Sequence, residues 1–331
     1  MIENRMPPTK IEISVKTIAF TALFLLSLWV LFLIKDIVLL LFVSSLFMAT
    51  MEPSVKKLER LRLPRWLAII FIYLFVIAIL FITFAGIVPP LIDQSGVLIA
   101  HLPEVINQFG LTGIDQNLIN SQIAQLGSVS GRILSFAVSI FSNLAAVLVV
   151  GVVTFYLLME RKKLSQYLAR YFGQGIEQEV IRIVEKVEHR LGDWVRGELT
   201  LMTIVGILSF IGFRLLGMEF ALPLAIFTGL LEVIPNFGPT VAAIPAILIG
   251  LSMSPFHGLA AASWAFLVQQ IENNFIVPKV MGKATGLNPL VVILSLATGF
   301  RLAGIAGATL AVPVVLAISV IFTELYSKKL R

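Results

Sequence analysis

Glu232 stands one turn before IPNFGP, the stretch Ile234 to Pro239, inside an apolar run that extends from Leu222 to Leu251. A carboxyl group at that depth is costly to keep, so it marks a site that holds a proton, a cation or a polar solute. Asn236 and Thr240 add polar groups at the break. Pro235, Gly238 and Pro239 release backbone groups that an unbroken helix would have used. Downstream, Gln269, Glu272 and Asn273 share a helical face by i+3 and i+4 spacing. Arg301 lies in a second interruption, GFRLAGIAG, which carries Gly304 and Gly307 and is followed by Pro313. A buried charge calls for a partner, and Arg301 with Glu232 or Glu272 is the obvious pair. Two acids against one base leave a spare carboxylate for a cation or proton. A substrate- or ion-binding site is therefore expected at Glu232, Asn236, Thr240, Gln269, Glu272, Asn273 and Arg301. The rival reading is a structural ion pair that ties the two breaks together.

Catalytic chemistry is not expected. The histidines, His101, His189 and His257, are far apart, no HExxH, GxSxG or P-loop is present, and Gly282 with Lys283 lacks the upstream glycine of a phosphate loop. The absence of cysteine excludes disulfides and thiolate metal sites. No catalytic residue, metal centre or cofactor is expected, beyond H+ or Na+ as a coupling ion.

The elements that must hold such a site are membrane helices. With 58% hydrophobic and 13% charged residues over 331 positions, and a mean hydropathy of +0.97, the chain is too apolar for a soluble protein and reads as an all-α polytopic membrane protein. Its net charge of +6 falls in short clusters beside apolar segments, which describes topology and not a nucleic-acid partner. Residues 1–16 form a cytoplasmic N-terminus, with no cleavage site after the first apolar run. Three membrane helices occupy 17–90: Thr17 to Ile34, Ile37 to Met51 and, after a basic cytoplasmic turn, Trp66 to Val88, ended by Pro89 and Pro90. Residues 91–132 lean acidic and suggest short extracytoplasmic amphipathic helices. A helix returns over 133–159. Residues 160–198 read as a cytoplasmic amphipathic helix with Val180, Ile183, Val184, Val187, Leu191, Trp194 and Val195 on one stripe. The transport region is 199–323, and 324–331 is a cytoplasmic tail.

Each half of the broken stretch 222–251 has about 13 residues, a reach of roughly 20 Å against a hydrocarbon core of roughly 30 Å. Segment 288–322 repeats the plan: Pro223, Leu224, Gly238, Thr240 and Pro245 run parallel to Pro289, Leu290, Gly304, Thr309 and Pro313. If both were full crossings, Lys279 and Lys283 would lie outside. Counting positive charges favours two oppositely oriented re-entrant hairpins, the inverted-repeat plan of secondary transporters.

The runs LEVIPNFGPTVAAIPAIL, QQIENNFIVPKVMGKATGLNPLVVILSL and GATLAVPVVLAI resemble the AI-2E family of prokaryotic membrane transporters, from the first span to Phe322. The resemblance implies about eight membrane segments, cytoplasmic termini in the cell membrane, and export of a small polar solute of the autoinducer-2 kind. It also implies an elevator-like movement and a homo-oligomer, such as a pentameric ring. Some members are described as sodium (or lithium)/proton antiporters, which is the alternative function. A non-transporting scaffold organised by the cytoplasmic helix, and a simple pore, are the rivals from other classes. Expected partners are the lipid bilayer and a small-molecule or cation substrate.

Overall fold

The computed structural model describes residues 14–108, 144–164, 166, 167, 170, 176–235, 237–282 and 286–327. Asn236, Lys283 and most of the expected extracytoplasmic segment lie outside them. The described residues form ten α-helices: α1 (Val15–Leu33), α2 (Lys35–Arg60), α3 (Arg65–Gln108), α4 (Leu144–Glu160), α5 (Ile176–Leu215), α6 (Ala221–Leu231), α7 (Phe237–Met253), α8 (Pro255–Ile271), α9 (Val277–Met281) and α10 (Pro289–Ser327). A 3-10 turn, Arg161–Lys163, follows α4, and a π turn, Glu272–Ile276, joins α8 to α9.

Among the described residues five stretches are long and apolar enough to cross a membrane: α1, α2, Arg65–Gly86, Gln178–Leu215 and Pro289–Tyr326. α6 and α7 are apolar but shorter. Large hydrophobic side chains cover the outside, and α1 buries none of its residues. Such a surface is stable against lipid, where every backbone group is already bonded within its helix.

Proline decides less than its position suggests. Pro89 and Pro90 do not end the third helix, which runs on to Gln108 and so past the expected boundary at 90. α2 likewise continues through Pro53 to Arg60, beyond the expected end at Met51. A proline at 53 cannot donate to the carbonyl of Ala49. That carbonyl accepts instead from Arg196 Nη1 at 3.3 Å, and Gly192 of α5 makes the approach possible, since a Cβ there would sit 2.5 Å from the same oxygen.

Two packed regions follow from these contacts. Met48 and Val55 of α2, Ala68 and Ile69 of α3 and Leu158 of α4 form one core. At its edge Arg65, with only a tenth of its side chain exposed, bonds Glu52 at 2.6 Å, Glu59 at 2.9 Å and the Leu158 carbonyl, one of the helix-end acceptors of α4. A second core joins α2, α5, α9 and α10 through Leu46, Ala49, Leu191, Trp194, Leu201, Met281, Leu296 and Val312. Leu191, Trp194, Val187 and Val195 belong to the expected amphipathic stripe, so that stripe packs within the chain. The amphipathic segment and the span after it are one helix, α5, and the boundary expected at 198/199 falls inside it.

Candidate functional site

The break after α6 is built to bury a carboxylate. α6 and α7 pack antiparallel, with Leu224 and Ala225 against Ala246 and Ile249. Between them the backbone turns tightly: Ile234 N donates to Leu231 O at 3.1 Å, Phe237 N to Pro235 O at 2.8 Å and Gly238 N to Ile234 O at 2.9 Å. These turns satisfy groups that the lost helical ladder leaves open. A Cβ at 238 would lie 1.7 Å from Leu231 O, so only glycine lets α7 start this close to the end of α6. Gly238 and Pro239 are buried, and Glu232 is wholly buried at the tip.

The second break also doubles back. Ala303 and Gly304 leave the helical conformation within α10, Gly304 at φ 59° and ψ −141°. A Cβ on Gly299 would sit 2.3 Å from Gly307 O, and one on Gly307 would sit 2.0 Å from Gly299 O. Residues eight apart in an unbroken helix are separated by roughly 12 Å, so the two arms of α10 lie against each other. Pro313 is buried in the second arm.

Glu272 opens the π turn. Pro278 lacks the N–H that would bond the Asn274 carbonyl, and the wider turn absorbs the mismatch before α9 begins. The turn also separates residues expected on one face: Glu272 is 2% exposed, while Asn273 is on the outside. That corrects the expectation for Asn273, because a π turn advances by more residues per revolution than i+3 and i+4 spacing assumes. Gln269 reaches across to α7, with its Nε2 3.5 Å from Thr240 Oγ1.

Glu232 and Glu272 are brought together. Each carboxyl acts on the other, and they stand within reach of a shared proton. Neither oxygen of Glu232 nor Oε2 of Glu272 has a formed hydrogen bond, and no cation pairs with them among the described residues. A third carboxylate, Glu198 of α5, is 3% exposed and interacts with both. Sequence reading assigned Glu198 to the end of the solvated helix and passed over it. Its signal was present in the i+4 spacing from Trp194 and the i+7 spacing from Leu191, which put it on their stripe.

Arg301 is not in this cluster. It is exposed at the second break and forms no ion pair among the described residues, so its expected pairing with Glu232 or Glu272 is not formed. The doubled-back arms carry it outward, whereas a straight span would have left it free to turn toward the acids. Among the described residues no three His, Cys, Asp or Glu side chains stand close enough to hold a metal ion, so the acids are neighbours without being a chelating set.

Apolar helices with two doubled-back segments and a buried acidic cluster define an integral membrane protein. Residues 18–327 match the family model described as AI-2E family transporter, and the chain belongs to that family. YueF of Bacillus subtilis is 28% identical over 317 residues, covering 86% of each chain. YrrI of the same organism is 28% identical over 298 residues, covering 85% of this chain and 84% of its own. The Synechocystis protein sll0063 is 27% identical over 293 residues, covering 82% and 73%. All three carry provisional names as transport proteins.

Proposed function

We propose that the protein is a secondary membrane transporter that moves a small polar solute by alternating access, with a proton carried by the Glu232–Glu272 pair as the coupling ion. The observation that carries this reading is the pair itself: two buried carboxyls, one at the break after α6 and one in the π turn after α8, with no base between them among the described residues. An ionised pair in that setting is costly without a counter-charge, and a proton or incoming cation supplies it. Two carboxyls within reach of one shared proton favour the proton. In this reading α6–α7 and the arms of α10 are opposed re-entrant hairpins of one inverted repeat, working against the α2–α4 core. Export of an autoinducer-2-like solute from a homo-oligomer in the cell membrane, both termini cytoplasmic, is the form that family membership suggests.

A second reading is sodium (or lithium)/proton antiport, favoured by the same unpaired carboxyls: the cation that meets them would then be the cargo. Liposomes holding the purified protein and a pH-sensitive dye separate the two. A sodium pulse that moves protons in the absence of any organic solute supports antiport. Proton movement only when labelled solute is present supports coupled export. Movement in neither case, together with unaltered behaviour of Glu232→Gln, rejects both and favours a scaffold.

A further inference from the structure

Glu198 has the burial of a core residue and an Oε1 without a partner. What it faces follows from glycine packing. A Cβ on Gly229 of α6 would lie 2.6 Å from Met202 O of α5, and one on Gly206 would lie 3.4 Å from Ala225 O. The helices are therefore antiparallel and nearly touching at this crossing. One turn on from Gly229 is Glu232, and one turn back from Met202 is Glu198, so the crossing sets these two carboxyls opposite each other. On its other side, a Cβ on Gly197 would meet Met281 Sδ at 2.7 Å, which packs α9 against α5, and Glu272, in the π turn that precedes α9, acts on Glu198. Among the described residues nothing basic answers Glu198. Arg196, next but one, turns to Asp193 at 2.7 Å and to the carbonyls of Ala49 and Thr50. Lys279 of α9 is exposed, and α2 presents the uncharged Ala49 and Thr50. Along α5, Glu198 directly follows the solvated charged half, where Asp193 and Arg196 keep about a third of their side chains exposed. It is the member of the trio nearest in the chain to that water-facing half.

Resting on the coupling role given above to Glu232 and Glu272, we propose that Glu198 is the third carboxyl of the site and the group through which the pair exchanges its proton with the cytoplasmic side. In the step, a proton leaves the Glu198 carboxyl oxygen for a carboxylate oxygen of Glu232 or Glu272. Glu198 becomes the anion, and a hydronium ion arriving at the charged end of α5 from the cytoplasmic side returns a proton to it and leaves as water. No further reactant is needed, and the reverse sequence releases the proton.

Infrared spectroscopy of the full chain in lipid tests this without a known solute. The carboxyl C=O band of protonated buried acids shifts when exchanged into D2O, and its rate reports proton access. Glu198→Gln keeps shape and hydrogen-bonding capacity, and should slow exchange of the remaining acids on the order of tenfold or more, whereas Glu198→Asp retains most of the wild-type rate. Exchange at the wild-type rate in a folded Glu198→Gln protein overturns the proposal. Should that variant not fold, dicyclohexylcarbodiimide, which modifies proton-bearing carboxyls in apolar surroundings, is applied to the wild type: an adduct on Glu198 by mass spectrometry supports the proposal and its absence overturns it. The underlying site reading fails separately, if Glu232→Gln leaves the band at full size.

Discussion

Glu232 is the side chain whose replacement says most. Glu232→Gln is expected to lower proton-coupled flux in liposomes on the order of a hundredfold. Its thermal midpoint in detergent should not fall, because the change removes a buried acid that stands beside another acid and the amide can still bond Glu272. Arg301→Ala should change stability by no more than about 0.5 kcal/mol, since the side chain is exposed and has no ion-pair partner among the described residues. A large loss would restore the ion pair that the structure lacks. Arg65 is the opposite case: Arg65→Ala leaves Glu52 with Lys56 and Glu59 with Lys162 as their remaining cations, takes the donor from the Leu158 carbonyl, and is expected to cost roughly 2 kcal/mol in unfolding experiments. Lysine should rescue it poorly, because the contacts use Nε and both terminal nitrogens of the guanidinium fork. Glu232 and Glu272 were legible as candidates because charge is so scarce in apolar sequence. Glu198 was not, since it stands among other charges and only the crossing of α5 with α6 removes it from water.

Glycine spacing governs how closely the helices meet. Gly229→Ala places a Cβ 2.6 Å from a backbone oxygen and should destabilise by about 1–3 kcal/mol, while Gly206→Ala, with its nearest neighbour at 3.4 Å, should be tolerated. Circular-dichroism melts of the two variants check the contrast. At Gly304 no neighbour lies within 4 Å of an added Cβ, so Gly304→Ala tests conformation alone, at a cost of about 1–3 kcal/mol for φ 59° with ψ −141°. Both breaks could be located from proline and glycine runs, and the folding back of their arms is visible in Gly299 against Gly307 and Gly238 against Leu231. The π turn could not be located so readily. A proline such as Pro278 ends a helix, kinks it or widens one turn, and packing around Glu272 selects among these.

The sidedness of these segments is open to direct measurement on a chain that has no cysteine of its own. Opposed hairpins require a single cysteine at Ser252 to react with an impermeant maleimide from outside the cell and one at Lys279 to be protected. Two full crossings require the reverse. Composition alone settled that the chain lies in a membrane, because so much apolar surface is stable only against lipid. Scarcity of charge likewise singled out Glu232 and Glu272, and the proline and glycine clusters marked where the helices break. The unbroken course of α5, the outward turn of Arg301 and the entry of Glu198 into the cluster were decided only by tertiary packing. Those three depend on which helices touch and at what depth, a matter of contacts between residues far apart in the chain, which local periodicity does not encode.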